Sequence, residues 1–310
     1  MPTSSTSNDV AHALVLTWNG AHLLGDCLRA LLPQAARVTV VDNASTDGTA
    51  ELLRREFPRV EHLILSGNFG FGRANNEGIR LSLDAGAEFV ALLNNDVEVA
   101  PGWLDRLLAA ARARPRAGLF TGTLLFRGGA GFAGDGRSPK GGAPEGGAGF
   151  AGDGRSPKGG APEGEVVNST GLDLDALGRA RDRDFRVPLA ALRRGDGPVA
   201  GVSGGAALLR ASMLREVGLF DPAYFAYYED VDLSLRAARA GWESWYVRDA
   251  VARHRFGASF GPGSPRQRYL LGRGHLRTLA LHQPLAKAAA LIPATIAYRT
   301  LFKAPLAQGR

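Results

Sequence analysis

Cysteine is almost absent from this 310-residue chain: Cys27 stands alone, which excludes an internal disulfide and any cysteine-built metal site. It falls in an apolar helical pattern from His22 to Leu32, so a packed thiol is expected there, and a reducing cytoplasm is the natural compartment. Long apolar runs are missing as well. Ala288 to Tyr298 is broken by Pro293 and flanked by Lys287 and Arg299, and it falls short of the ~20 residues that span a bilayer. The opening Met1 to Asp9 is polar, without the basic and apolar segments of a secretory signal. Acidic residues are outnumbered, 30 against 37 basic ones, for a net charge of +7. That balance suits an anionic ligand or surface without choosing among them. No P-loop is present, and Gly70-x-Gly72 lacks the third-glycine spacing of a dinucleotide fingerprint.

What is present, from Ala13 to Phe126, is an alternation of short β-rich runs with helical stretches. Strands are expected at Ala13 to Thr17, Val38 to Asp42, Val60 to Leu65, Phe89 to Asn94 and Gly118 to Phe126. Amphipathic helices are expected at Ala50 to Phe57, Ala74 to Ala85 and Trp103 to Arg112. Such alternation implies βαβ units and a mostly parallel sheet covered on both faces. The composition then changes abruptly. Gly128 to Glu145 is repeated without a difference by Gly146 to Glu163, an 18-residue tandem duplication whose Gly, Pro and Ser content predicts a flexible surface loop. A polar, charged segment runs from Val166 through Arg194, followed by an apolar run at Val199 to Leu209, a helix at Ser212 to Val217 and a strand at Trp242 to Val247.

Two acidic clusters stand out. The buried-strand pattern at Phe89 ends in Asn94-Asn95-Asp96, which delivers Asp96 to the carboxyl end of a strand, the edge at which open α/β sheets bind ligands. Taken alone, the stretch reads equally as a phosphate-and-metal site or as a turn ahead of the helix announced by Pro101. The second cluster, Glu229, Asp230 and Asp232, gathers at the start of a helix that Gly241 ends. There, acids stabilise the macrodipole by ~0.3–1 kcal/mol each with no chemistry required. A metal-assisted transfer with a separate general base would need one cluster of each kind.

Several motifs in order resemble family 2 glycosyltransferases of the GT-A fold, particularly the bacterial rhamnosyltransferase-like branch. Leu14-Val-Leu-Thr-Trp-Asn-Gly20 looks like the family's first strand and nucleotide-contacting turn, and Val41-Asp42-Asn-Ala-Ser-Thr-Asp-Gly48 its second. Asn68-Phe-Gly-Phe-Gly-Arg-Ala-Asn-Asn-Glu-Gly78 is similar to the segment beside the donor, and Asn94-Asn95-Asp96 corresponds to the DXD metal motif with a neutral first position. Gly204-Gly205 and Glu229-Asp230 match the acceptor-side glycines and the ED motif, and His254 resembles the histidine that completes the metal shell in some members. Arg273-Gly274 departs from the Arg-Asn that relatives often carry.

The resemblance implies an α/β GT-A fold, with a Rossmann-like nucleotide half and an acceptor half on a mostly parallel central sheet, and a helical C-terminal tail. The implied divisions are a disordered N-terminus (1–9), a nucleotide-sugar half (10–127), the duplicated loop (128–165), an acceptor and catalytic half (166–262) and a basic helical tail (263–310). It implies inverting transfer from a nucleotide-diphospho-sugar, such as dTDP-rhamnose or a UDP-sugar, to a hydroxyl of a cell-surface glycan or lipid-linked acceptor. Asp230 would be the catalytic base. Thr17, Asn19, Asp42, Asn68, Asn75, Asn94 and Asn95 would bind the donor. Asp96 and His254 would hold Mg²⁺ or Mn²⁺, and Gly204, Gly205 and Glu229 would face the acceptor. The basic tail suits an anionic membrane surface, hence a cytoplasmic protein or one peripheral to the inner face of the cell membrane; no nucleic acid is expected. Two rivals are a nucleotide-sugar-binding scaffold without catalysis, for which Asn94 is the hint, and a serine hydrolase. In the latter, Gly201-Val-Ser203-Gly-Gly205 fits G-x-S-x-G and Asp230 and His254 follow in triad order, although no buried strand precedes the serine.

Overall fold

Strands that read as unbroken apolar runs are those that helices cover on both faces, and the computed structural model, which describes residues 10–127, 164–255 and 264–302, shows this arrangement. In chain order the first half gives β1 (Ala11–Thr17), α1 (Ala21–Leu31), β2 (Arg37–Asp42), α2 (Thr49–Glu56), β3 (Glu61–Ile64), α3 (Gly70–Asp84), β4 (Phe89–Asn94), β5 (Val97–Val99), α4 (Trp103–Ala113) and β6 (Ala117–Phe126). The second half gives β7 (Val167–Ser169), β8 (Leu172–Leu174), β9 (Ala180–Asp182), β10 (Gly197–Val199), β11 (Ala206–Arg210), α5 (Ala211–Val217), α6 (Glu229–Arg239), β12 (Glu243–His254), α7 (Pro265–His282) and α8 (Leu285–Phe302).

Among the described residues ten strands form one sheet, whose main path is β10-β12-β6-β11-β4-β1-β2-β3, with β5 on β12 and β7 on β6. The strands β3, β2, β1 and β4 run parallel, as do β6 and β12, and β11 is antiparallel to both of its neighbours. The two halves of the chain therefore interleave in a single sheet. Alternation along β1 sends Ala13 and Val15 to one face, under Leu24, Leu28, Leu104 and Leu107. Leu14 goes to the other, under Ile79, Met213, Val231 and Leu270. Each of the Val, Leu, Ile and Met side chains among these, when fully buried, contributes about 1.5–3 kcal/mol before entropy is counted.

The sequence and the structure differ in several places. The run from Val199 to Leu209 is two strands, with a turn through Gly201–Gly205 between β10 and β11. The polar segment after Val166 carries β7 and the antiparallel hairpin β8–β9. Pro293 lies inside α8 and does not interrupt it. The helix read as the start of a tail, α7, is built into the domain, with Leu270, Gly274, His275 and Leu279 buried. The N-terminal nine residues and the duplicated loop, apart from its last two residues, lie outside the described residues. No helix among the described residues is long and apolar enough to cross a membrane.

Candidate active site

The parallel strands place their carboxyl ends along one edge, and the loops there carry the polar residues that the sequence singles out. Asn19, at the end of β1 with φ +49°, donates its N–H to Ser45 Oγ (2.8 Å) and accepts from Thr46 N–H (2.7 Å), which joins the β1 and β2 turns. Thr17 Oγ1 accepts from Asn95 Nδ2 (2.8 Å). Asp42 is buried, accepts from Ser45 N–H (2.8 Å) and lies 3.2 Å from His62 Nε2. Asn68 Oδ1 accepts from Asn43 Nδ2 (2.9 Å) and Gly70 N–H (3.0 Å). Leu16, Trp18, Asn43, Asn68, Asn94 and Phe225 line a cleft beside these turns. Asn75 does not line it: Nδ2 donates to Phe71 O (3.1 Å) beneath the first turn of α3, and Oδ1 is buried without a hydrogen-bond partner.

Asn94, Asn95 and Asp96 are buried together between β4 and β5. Asp96 Oδ2 lies 3.3 Å from Nε2 of His254, the last residue of β12, while Oδ1 is buried with no hydrogen-bond partner. Burial works against charge on His254, but Asp96 outweighs it and raises the imidazole above its ordinary range. Cys27 Sγ donates to Asn94 O at 3.6 Å, and burial with the nearby Asp96 charge pushes its thiol far up, so it is an inert, packed group. Among the described residues no three His, Cys, Asp or Glu side chains gather into a metal site. The donors present still fit a hard cation: one buried carboxylate with an orphaned oxygen and one imidazole nitrogen form a partial shell that ligand oxygens and water complete.

The second acidic cluster opens α6. Asp230 accepts from Gly204 N–H (3.0 Å) and Val231 N–H (2.8 Å); burial raises its carboxyl to about 6 against the lowering effect of these bonds. Glu229 is 0% exposed, and neither carboxyl oxygen has a hydrogen-bond partner. Burial, then the neighbouring Asp230 charge, holds it well above the usual carboxylate range. It lies against Gly72 of α3, whose added Cβ would stand 3.7 Å from Glu229 Cβ, and no part of it reaches solvent. Asp232 is turned away from the cleft, bound by Arg236 Nε (2.9 Å) and His282 Nε2 (2.7 Å).

The loop that leads into α6 is strained. Phe225 (φ +66°, ψ −61°) centres a γ-turn closed by Ala226 N–H on Tyr224 O (2.8 Å), and Tyr227 and Tyr228 also have positive φ. Phe225 O accepts from Phe71 N–H (2.6 Å), and Gly70, at φ +78°, leaves room for that approach because an added Cβ would strike the same carbonyl. From behind, α7 holds the loop: Tyr224 Oη meets Thr278 Oγ1 at 2.9 Å, and His275 stacks on Tyr228. Gly274 faces the carbonyl of Tyr227, where an added Cβ would stand 2.7 Å from the oxygen.

Gly204 and Gly205 join the two acidic clusters. Gly204 N–H is bound to Asp230, and the Gly205 carbonyl accepts from Asn94 N–H at 2.9 Å. Ser203, beside them, enters strand β11 rather than a helix, and His254 pairs with Asp96, so the geometry supplies neither a nucleophile elbow nor a Ser–His–Asp chain.

Sequence reasoning missed Asn43, Trp18 and Phe225 at the cleft, His62 against Asp42, and Asn168 and Asp182 near His254. Asn43 and Trp18 lie inside quoted motifs, whereas Asn168 and Asp182 sit in three-residue strands too short for periodicity to mark. Asp182, hydrogen-bonded to Ser169, is raised to about 7 by burial and the Asp230 charge, and it lies close enough to His254 for the imidazole to oppose that shift.

Residues 13–141 match the family model described as glycosyl transferase family 2, and residues 181–306 match glycosyl transferase family group 2. Two curated proteins of Mycobacterium tuberculosis, from strains CDC 1551 / Oshkosh and ATCC 25618 / H37Rv, are 32% identical over 237 residues. Each is named N-acetylglucosaminyl-diphospho-decaprenol L-rhamnosyltransferase, and the match covers 70% of this chain and 66% of theirs. GalNAc-T7, solved with UDP, GalNAc and Mn²⁺, superposes with a TM-score of 0.57 at 15% identity, over 87% of this chain and 47% of its own. The mannosyltransferase PcManGT from Pyrobaculum calidifontis, solved with GDP-Man and Mn²⁺, gives 0.54 at 17% identity, over 94% and 70%.

Proposed function

The chain belongs to glycosyl transferase family 2, with the α/β GT-A fold of its structural neighbours, and from that premise we propose that it transfers a sugar from a nucleotide-diphospho-sugar to an acceptor hydroxyl by single in-line displacement with inversion. The observation that carries this reading is the Gly204-Gly205 link, which sets a buried carboxylate with two backbone donors beside the turn that bears Asp96. Asp230 takes the proton of the attacking hydroxyl, work typically worth ~10²–10⁴ in rate. Asp42 and the Asn19 turn hold the nucleoside, and Asn68, Asn94 and Asn95 meet the donor along the cleft. Asp96 and His254 would hold Mg²⁺ or Mn²⁺, which neutralises charge on the leaving diphosphate when bound.

For the substrates, the names of the curated relatives favour L-rhamnose as the sugar and a diphospho-lipid-linked sugar as the acceptor, with dTDP-rhamnose as donor. The chain spans 66% of those relatives' length, so this choice rests on partial overlap. Charge supports an anionic, membrane-borne acceptor: no Asp or Glu follows Asp249, and α7 and α8 expose Tyr269 (67%) and Leu285 (86%) among basic residues. The enzyme would then work at the inner face of the cell membrane. The test is binding and slow hydrolysis of a panel of UDP-, GDP- and dTDP-sugars with Mn²⁺, Mg²⁺ or EDTA. Metal-dependent release of one nucleoside diphosphate is expected; no binding to any donor under any condition would sink the proposal.

A further inference from the structure

Asn168 of β7 contacts the proposed metal ligand but belongs to none of the motifs described above. Strand β7 is antiparallel to β6, and β6 is parallel to β12, so β7 and the end of β12 flank the same strand from opposite sides. The register places Ser169 on Leu124 and Val167 on Leu125, while His254 is level with Phe126. Asn168 is 2% exposed, and its Oδ1 lies 2.9 Å from His254 Nδ1. Its Nδ2 is buried with no hydrogen-bond partner, so the oxygen end alone makes the contact.

We propose that Asn168 is a positioning residue: by accepting the Nδ1 hydrogen of His254 it fixes the tautomer and the plane of the imidazole, and so directs Nε2 toward Asp96 and the cation site. An amide oxygen only accepts, so the nitrogen facing it carries hydrogen, and Nε2, 3.3 Å from Asp96 Oδ2, is the nitrogen presented to a cation. A ligating histidine gains both orientation and basicity from such a partner, whose loss typically costs 10–100-fold in metal affinity. With the oxygen removed, the ring can turn about χ2 or carry its hydrogen on Nε2, where it would donate to Asp96, and either change takes the Nε2 lone pair away from the cation site. The inference rests on the metal-holding role proposed for His254.

The test uses the full-length chain. ¹⁵N NMR of histidine-labelled protein without metal reads the tautomer directly, and Mn²⁺ EPR reads affinity for Mn²⁺ with UDP and with dTDP. The native chain should show hydrogen on His254 Nδ1. Asn168→Ala should lose that signature and, like His254→Ala, bind Mn²⁺ at least ~10-fold more weakly. Asn168→Asp, which keeps an accepting oxygen, should stay within about threefold of the native affinity. A merely structural role would lower the melting temperature of Asn168→Ala without this pattern of loss and rescue. Native His254 carrying hydrogen only on Nε2 overturns the inference. So does normal Mn²⁺ affinity in Asn168→Ala alongside weak affinity in His254→Ala, and that outcome leaves the metal role of His254 standing. Normal affinity in His254→Ala removes the metal role and the inference together.

Discussion

Glu229 and Asp230 are adjacent and both buried, yet the backbone treats them oppositely: Asp230 accepts two N–H bonds, from Gly204 and Val231, and Glu229 accepts none from another residue. Two neighbouring carboxyls in a dry site cannot both ionise cheaply, so the one with donors carries the charge and the other stays protonated. This division is what a base beside a cleft requires.

The pH dependence follows from that division. Asp230 is raised to about 6 by burial, and a base works only when ionised, so kcat/KM should fall tenfold per unit below about pH 6 rather than near 4. Stability should move the other way. A carboxyl raised on folding contributes most below its unfolded value, and that contribution is lost as pH rises through about 6. The melting temperature of Asp230→Asn should therefore gain on the parent between pH 5 and pH 8, while turnover drops by at least ~10² with donor affinity nearly unchanged. Glu229→Gln should leave the acid limb in place. An acid limb near pH 4 in the parent would remove Asp230 from the role.

Asp96 has a different signature. If Asp96 acts as the proposed ligand, as its orphaned Oδ1 and its contact with His254 suit it to do, Asp96→Ala should weaken donor binding at least ~10-fold in Mn²⁺. In EDTA the variant and the parent should bind alike. Calorimetric titration of the donor under both conditions decides the point: an equal loss in EDTA would make Asp96 a structural turn residue.

Much of this arrangement is legible in the chain. The run from Phe89 to Asn94 announces a strand buried on both faces, and its abrupt end in Asn95-Asp96 marks the carboxyl end of that strand. The helices α1 and α4 lie within one residue of their apolar patterns. Pairing partners are another matter, because periodicity says which residues are inside but not which strand lies beside which. Nothing in Ala206 to Arg210 signals that β11 inserts antiparallel between β4 and β6. The start of α3 at Gly70, four residues before the pattern at Ala74, is hidden by glycines that depress helix propensity. Gly72 and Gly78 are there for contact: an added Cβ would come within 3.1 Å of Phe220 and 2.8 Å of Val41. Asn168 and His254 are 86 residues apart and meet through the sheet alone.

Gly274 should be intolerant of even one methyl group. An added Cβ would stand 2.7 Å from Tyr227 O and 3.0 Å from Tyr228 Cβ, and those residues are already at φ +67° and +73°. The loop cannot retreat without losing Phe225 O from Phe71 N–H and Asp230 from Gly204 N–H. Gly274→Ala should lose about 1–3 kcal/mol of stability and lower kcat more than it raises the donor KM. Urea unfolding and steady-state kinetics measure both, and a variant with native stability and kcat would refute the idea that α7 holds the base loop.

The same helix is tied at its other end by a buried contact between His282 and Asp232. His282 Nε2 lies 2.7 Å from Asp232 Oδ1, both side chains are 3% exposed, and Arg236 Nε donates to the second carboxyl oxygen at 2.9 Å. Burial alone would raise Asp232; the His282 bond and Arg236 outweigh it and hold the carboxyl below its ordinary range. A depressed carboxyl contributes stability above its unfolded value of 3.8, and that contribution is lost as pH falls through the lower folded value. Removing one partner of a buried pair costs ~3–5 kcal/mol when nothing replaces it. Arg236 remains in His282→Ala, so a smaller loss of about 1–3 kcal/mol is expected there. The carboxyl would then titrate nearer its ordinary value, and the acid-unfolding midpoint read by far-UV circular dichroism should move to higher pH. Coincident acid transitions for parent and variant would show that the α6–α7 tie is held by packing, with the His282–Asp232 contact contributing nothing measurable.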